Sequence, residues 1–136
     1  MSRKFSPKLK AFTLQELLVV LIIIGILTLL VLPNLLPLIT KTKSTEAQLQ
    51  LKHLHTLEKS YFYAHSKYSN DLTEVDFEQE KTTDAGGSAN YQIEITESSA
   101  TTFTAKATSI VDFDGDGTFN IWEINQDNDL KEIVKD

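Results

Sequence analysis

Carboxylates recur at every second position at the start of the stretch DFDGDGTFNIWE, which runs from Asp112 to Glu123. Alternate acids in a tight turn converge on one centre, and a glycine at the sixth position lets the backbone bend sharply enough for this. The order of residue types matches positions 1, 3, 5, 7, 9 and 12 of an EF-hand calcium loop, which supply its oxygen ligands. The spacing therefore predicts a cation site whose candidate ligands are Asp112, Asp114, Asp116, Thr118, Asn120 and Glu123.

The residues after this loop do not predict the helix that follows the loop of an EF-hand. The apolar side chains on both sides of Glu123 favour a strand instead, so its carboxylate could point away from an ion. Asp127 and Asp129, in the acidic turn that follows, could supply the missing oxygens. All of these ligands are hard oxygen donors and the chain has no cysteine, so calcium is the expected ion. The alternative is an acidic turn that is only solvated.

A further acid, Glu16, lies at the start of an apolar run that contains no charged residue before Lys41. About 20 apolar residues cross the core of a bilayer as a helix, and this run is long enough. An ionised side chain at the mouth of such a helix is costly unless it has a partner. The sequence therefore predicts a membrane-spanning helix with a functional glutamate at its start.

Charge is distributed unevenly on the two sides of the apolar run. The residues before it carry four bases and no acid, whereas the remaining chain has 9 basic and 19 acidic residues, a net charge of 9 − 19 = −10. This asymmetry predicts a cytoplasmic N-terminus, with everything after Lys41 outside the cytoplasm. The acidic bulk also disfavours a nucleic-acid partner. The four bases are Arg3, Lys4, Lys8 and Lys10.

Two ordinary membrane signals share the basic start and the apolar run. A secretory signal peptide is disfavoured because the run is too long for a signal-peptide core, and the following LPNLLPLITKTKSTEA offers no small-x-small cleavage site. An uncleaved signal anchor stays open on the charge pattern alone.

The segment KAFTLQELLVVLIIIGILTLLVLP, from Lys10 to Pro33, resembles the N-terminus of type IV prepilins and type II secretion pseudopilins. The resemblance implies that a prepilin peptidase cuts between Ala11 and Phe12 and that the new terminal Phe12 is methylated. The family usually has glycine before the cut, where this chain has Ala11. The resemblance also implies that Glu16 neutralises the amino terminus of a neighbouring subunit in a filament. It further implies that an inner-membrane assembly platform is a partner.

The pattern changes beyond the apolar run. Pro33 and Pro37 predict a kink or a short unwound stretch, after which apolar residues at steps of three and four, from about Ser44, predict helix again. NYQIEIT and TTFTAKATS alternate apolar and polar residues and predict an antiparallel hairpin, with two shorter strands at residues 121–124 and 130–134. The expected fold class is α+β, a long N-terminal helix packed on a small antiparallel sheet, as in the pilin fold. The expected segments are a leader at 1–11, a transmembrane and filament-core helix at 12–40, and a soluble head at 41–136.

The sequence shows no catalytic constellation, since it lacks a cysteine, a nucleophile elbow, a P-loop and a zinc signature. We therefore expect a structural, non-enzymatic filament subunit, in either a type IV pilus or a type II secretion pseudopilus. The short head, the absence of a disulfide and the calcium loop favour a major pseudopilin that serves protein secretion. The alternative is a membrane-anchored, calcium-dependent adhesin or sensor, which would not explain the FTLxE motif.

The location expected for such a subunit follows from the charge pattern and the resemblance together. The chain would cross the inner membrane once, with its N-terminus in the cytoplasm and its head in the periplasm. It would then enter a periplasmic or cell-surface filament by self-assembly.

Overall fold

The computed structural model describes residues 10–136, so most of the predicted leader lies outside the described part of the chain. The chain forms two compact units, one ending at Leu35 and the other spanning Leu36–Asp136. The order of elements confirms the predicted α+β class. The elements are helix α1 (Leu14–His65), a 3-10 helix (Thr83–Ala85) and strands β1 (Tyr91–Ser98), β2 (Phe103–Ser109), β3 (Ile121–Asn125) and β4 (Leu130–Val134).

The apolar half of α1 presents hydrophobic side chains on every side. Between Leu17 and Leu32 the large hydrophobic side chains are 49–74% exposed within the chain. Among residues 10–136, α1 is the helix that is long and apolar enough to cross a membrane. A helix that is hydrophobic all round needs lipid or other protein as its surroundings.

The helix continues without unwinding through Pro33 and Pro37, which corrects the predicted unwound stretch. Each proline removes one backbone donor and so leaves a carbonyl one turn earlier without its usual partner. A nearby polar side chain adds a local bond, since Asn34 Nδ2 donates to the Leu30 carbonyl at 3.2 Å. Pro33 and Pro37 free the carbonyls of Leu29 and Pro33, so the Asn34 bond replaces neither lost bond. Prolines are tolerated in membrane helices because side chains, neighbouring helices and small backbone adjustments satisfy the freed groups.

The head is built on a four-stranded antiparallel meander in the order β1-β2-β3-β4, and the predicted hairpin is its first half. Alternation along β1 and β2 sends every second side chain toward α1. These side chains and one face of α1 form the hydrophobic core. Its main members are Ala47, Leu51, Leu54, Tyr91, Ile93, Phe103, Ala105, Ala107 and Ile124.

One acid of α1, Glu58, lies in the unit that spans Leu36–Asp136, and none of its surface is exposed. Its Oε2 accepts the backbone N–H of Ser69 at 3.0 Å, whereas its Oε1 has no hydrogen-bond partner within residues 10–136. Burial raises the pKa of Glu58, the Ser69 N–H opposes that rise, and the charge of Glu74 adds to it. The ionised form of this carboxyl therefore opposes folding.

The raised pKa of Glu58 predicts a pH-dependent stability. The folded chain holds this proton more tightly than the unfolded chain, so stability is lost as pH rises through the folded pKa, above the ordinary value of 4.5. Glu58→Gln keeps an oxygen for Ser69 and removes the charge. We expect thermal melts of the full chain in detergent to favour the variant increasingly as pH rises from about 4 to about 7. The exposed Glu78→Gln is the control and should show no such trend, and a Glu58→Gln chain that melts below the wild type at pH 7 would contradict the prediction.

Candidate functional site

The predicted processing and assembly residues lie around the first turn of α1. Ala11 and Phe12 precede the helix, and the Phe12 side chain is 86% exposed. The Thr13 backbone N–H donates to Glu16 Oε2 at 2.9 Å, and the Glu16 N–H donates to Thr13 Oγ1 at 3.2 Å. These reciprocal bonds form a capping box, which fixes where the helix starts. The peptide bond between Ala11 and Phe12 therefore lies outside the helix.

The capping box gives Glu16 a partner within its own chain, which sequence reasoning missed. The signal was present in the sequence, since threonine followed three residues later by glutamate before an apolar run is the usual pattern of a capping box. A carboxylate offers about four acceptor positions, so one bond from Thr13 leaves capacity for a second donor. The geometry is compatible with the predicted pairing to a neighbouring amino terminus.

The acidic loop between β2 and β3 folds as a series of tight turns. The Asp112 carboxylate accepts the backbone N–H groups of Gly115 at 2.7 Å and Gly117 at 2.6 Å. Both glycines have φ near +85°, at 82° and 89°, in a region that other residues rarely adopt. Asp114 accepts the N–H of Asp116 at 3.0 Å. The loop thus points its three predicted aspartates toward one another.

A fourth carboxylate, Asp136, joins these three. Carboxylate oxygens of Asp112, Asp114, Asp116 and Asp136 all lie within 4.8 Å of one another, and we call these residues the four-aspartate cluster. Asp136 Oδ2 accepts the Phe113 N–H at 2.9 Å, while its buried Oδ1 has no partner within residues 10–136. Sequence reasoning missed Asp136 because antiparallel pairing of β4 with β3 brings it back to the loop.

The pKa values of two aspartates in the cluster are shifted in opposite directions. The N–H groups of Gly117 and Gly115 help to lower the pKa of Asp112, because they stabilise its ionised form. The N–H of Asp116 lowers the pKa of Asp114, but desolvation and the charges of the other three aspartates together raise it above its usual value. Mutual repulsion of this kind is what a bound cation would relieve.

The structure does not bring the later predicted ligands into the cluster, which corrects that part of the prediction. Asn120 is buried and uses its side chain within the fold, accepting from Tyr91 Oη at 2.7 Å and donating to Glu132 and to the Val134 carbonyl. Glu123 lies in β3, where its Oε2 is 3.7 Å from Lys106 Nζ.

The remaining candidates have other local roles. Asp127 and Asp129 lie in the turn between β3 and β4, where both backbone N–H groups donate to Asn125 Oδ1. Asp129 also pairs with Lys131 at 2.6 Å. Thr118 remains next to the cluster, with its N–H donating to Asp116 Oδ1 at 2.7 Å. The ligands that the structure gathers are four carboxylates, an all-oxygen set that fits calcium.

An apolar N-terminal helix that runs into a head of helix and antiparallel meander defines the pilin class of proteins. Residues 36–119 match the family model described as "Type IV minor pilin ComP, DNA uptake sequence receptor". The chain is also 38% identical over 78 residues to the type IV major pilin protein PilA of Myxococcus xanthus, an alignment that covers 57% of this chain and 36% of that relative. The chain belongs to the type IV pilin family.

Proposed function

We propose that this chain is the structural subunit of a type IV pilus filament, assembled through the N-terminal half of α1. The observation that carries the proposal is the exposed apolar surface of that half, together with Glu16 at its start. Lipid covers such a surface before assembly, and the same surface on other copies covers it in a filament. Because one helix can satisfy both surroundings, the subunit can move from the membrane into the filament.

The proposed route begins with processing. A prepilin peptidase would cut before Phe12, which lies outside the helix in exposed backbone. The head would lie in the periplasm, as the basic residues before the apolar run and the acidic ones after it favour. An inner-membrane assembly platform would then lift subunits into the filament. These partners are those that the N-terminal motif implies.

The proposal is tested on filaments sheared from cells that express the chain. Intact mass and N-terminal sequencing of the filament subunit should give a chain that begins at Phe12 and carries one additional methyl group. Cells without the prepilin peptidase are the control and should keep the full chain in the membrane. A chain that still carries residues 1–11 in peptidase-competent cells, or an absence of sheared filaments containing it, would overturn the proposal.

A secretion pseudopilus is the second candidate, favoured by the short head and by the four-aspartate cluster. The two candidates differ in what deletion of the gene removes. Loss of sheared surface filaments with normal secretion identifies a pilus, whereas loss of secreted proteins with unchanged surface filaments identifies a pseudopilus. The description of the matched family model and the name of the matched relative both refer to type IV pilins, which favours the pilus.

The net charge of this chain disfavours the DNA-receptor role that the description of the matched family model names. Residues 36–136 contain 9 basic and 18 acidic residues, a net charge of 9 − 18 = −9. Binding to DNA phosphates depends on basic side chains that displace counterions. We therefore propose a filament-forming role for this chain rather than a DNA-receptor role.

We also propose that the four-aspartate cluster binds one calcium ion. The support is the convergence of four carboxylates, the raised pKa of Asp114 and the buried Asp136 Oδ1 that has no partner within the described residues. When bound, calcium would supply positive charge and oxygen coordination. Because Asp136 follows β4 and the other three aspartates precede β3, their shared ligand would tie the end of the sheet to its central loop.

A further inference from the structure

Charged side chains form a row across the outward face of the sheet, on the side away from the hydrophobic core. The four residues are register partners on successive strands, and their charges alternate from acidic to basic. Neighbouring strands lie about 4.8 Å apart, so the row is roughly 14 Å long. We call it the charge row, and it consists of Glu94, Lys106, Glu123 and Lys131.

Strand alternation shows that the charge row faces outward. Core residues Ala105 and Ala107 flank Lys106, and core residue Ile124 follows Glu123, so the charged side chains point to the opposite face. The Lys106 and Glu123 side chains are 36% and 33% exposed, and the two end residues are exposed. The face is therefore accessible to another molecule.

The rows of residues beside the charge row carry small or polar side chains on β1 and β2, and one of them ends in an apolar pair, Ile121 and Val134, on β3 and β4. Thr108 and Gln92 are register partners on one side, and Thr104 and Asn125 are register partners on the other. Apart from Ile121 and Val134, which are half-buried, the side chains of these rows are short or polar. A second sheet can therefore approach the charge row closely, as in packings where two sheets align their strands.

An alternating row of four charges is complementary to itself. A two-fold axis parallel to the strands, passing between Lys106 and Glu123, places the row of a second copy in reverse order over the first. Lys106 then faces the second copy's Glu123, and Glu94 faces the second copy's Lys131, so every opposed pair has opposite charges. A surface of uniform charge would instead meet two like charges, which opposes binding.

We propose that the outward face of the sheet is a docking surface for the same face of a second copy of this chain. Lys106 and Glu123 are also paired within the chain at 3.7 Å, and Lys131 is paired with Asp129 at 2.6 Å, so these charges divide their attraction between their own chain and the second copy. Exposed charge pairs are individually weak, so a single pair of chains associates weakly. In a filament the same face repeats on every subunit, and many weak contacts act together. That last step, lateral association of filaments, rests on the proposed function.

The test uses thiol crosslinking of the full chain in detergent, since the chain has no cysteine of its own. Thr108→Cys places a reporter on the docking face, offset from the second copy's Thr108 by about one strand spacing across the face and by about 10 Å between the two backbones. Thr101→Cys, in the exposed turn between β1 and β2, is the control reporter. With a short bis-maleimide, crosslinked dimer should form from the first reporter and not from the second. Equal yields from both reporters would overturn the proposal.

Charge-reversal variants distinguish a loss of crosslinking caused by like charges in the row from a loss caused by misfolding. In the Thr108→Cys background, Lys106→Glu with Lys131→Glu makes the row acidic, and Glu94→Lys with Glu123→Lys makes it basic. Each reversed chain alone should crosslink roughly tenfold less than the unreversed row, because like charges oppose one another. An equal mixture of the two should recover the crosslink as a heterodimer, which misfolded chains would not do. Unchanged yields in the reversed chains, or a mixture without recovery, would overturn the proposal.

The total charge of the chain and the charge row predict opposite changes in crosslinking for the basic-row variant. In the basic-row variant each Glu→Lys change removes one negative charge and adds one positive charge. The net charge of residues 36–136 therefore changes from −9 to −5, and general repulsion falls. Glu78→Lys with Glu80→Lys makes the same change at exposed positions away from the row. We expect this control to crosslink at least as well as the unreversed row, and the basic-row variant to crosslink less. Equal yields from these two variants would overturn the proposal, whether or not the chain forms filaments.

Discussion

Replacing Glu16 by alanine is expected to abolish filament assembly while leaving the chain inserted in the membrane. The change makes the apolar helix more hydrophobic, so insertion becomes easier. In the filament it would remove the counter-charge of a neighbouring amino terminus. Leaving one member of a buried ion pair alone costs about 3–5 kcal/mol, enough to reduce the equilibrium for adding each subunit by roughly a hundredfold or more. Quantifying the subunit in sheared filaments and in the membrane fraction measures both effects.

The capping box supplies the matched controls for this experiment. Glu16→Gln retains an oxygen for the Thr13 N–H and removes the charge, and glutamine serves well in capping boxes. Thr13→Ala keeps the charge and removes the hydroxyl that accepts the Glu16 N–H. If the charge pairs with an amino terminus, Glu16→Gln should fail as Glu16→Ala does, and Thr13→Ala should still assemble. Normal filament yield from Glu16→Gln would assign Glu16 to capping alone.

Local patterns in the sequence predicted most of the fold. The alternation of apolar and polar residues in β1 and β2 allows only one strand register that buries the apolar face. In the second half of α1, apolar residues at steps of three and four define the one face of the helix that can be buried. The unwound stretch predicted at the prolines was wrong because their local preference was weighed without their surroundings. In a long apolar helix the neighbouring turns hold Pro33 and Pro37 in helical conformation.

The acidic loop shows where local spacing stops being informative. Asp112, Asp114 and Asp116 are close in sequence, and their convergence follows from the turn itself. The twelfth position of an EF-hand loop reaches its ion because a helix follows, whereas Glu123 lies in a strand whose alternation turns it toward Lys106. Asp136 reaches the cluster through the register of β4, which includes a bulge near Trp122 that the sequence did not reveal.

Calcium is expected to raise the melting temperature of the full chain in detergent by about 10–20 °C when its concentration is about 100 times the dissociation constant. At that ratio an ion that binds only the folded form contributes about 2.7 kcal/mol. For a head of roughly this size, each kcal/mol shifts the melting temperature by about 4–8 °C. Extracellular calcium modules often bind at roughly 0.1–1 mM, so melts should compare about 10 mM and higher calcium with chelator.

Substitutions separate the ligands that the structure gathers from those that spacing alone predicted. Asp114→Ala with Asp116→Ala should abolish the calcium-dependent shift, and Asp136→Asn should remove most of it, since the Asp136 carboxylate lies within the four-aspartate cluster. Glu123→Gln should leave the shift intact, because Glu123 faces Lys106 instead. Without calcium, removing Asp114 and Asp116 should not destabilise the head, because the pKa of Asp114 is raised partly by the charges around it. If the wild-type chain melts identically with calcium and with chelator, the cluster is a solvated acidic turn and the calcium proposal fails.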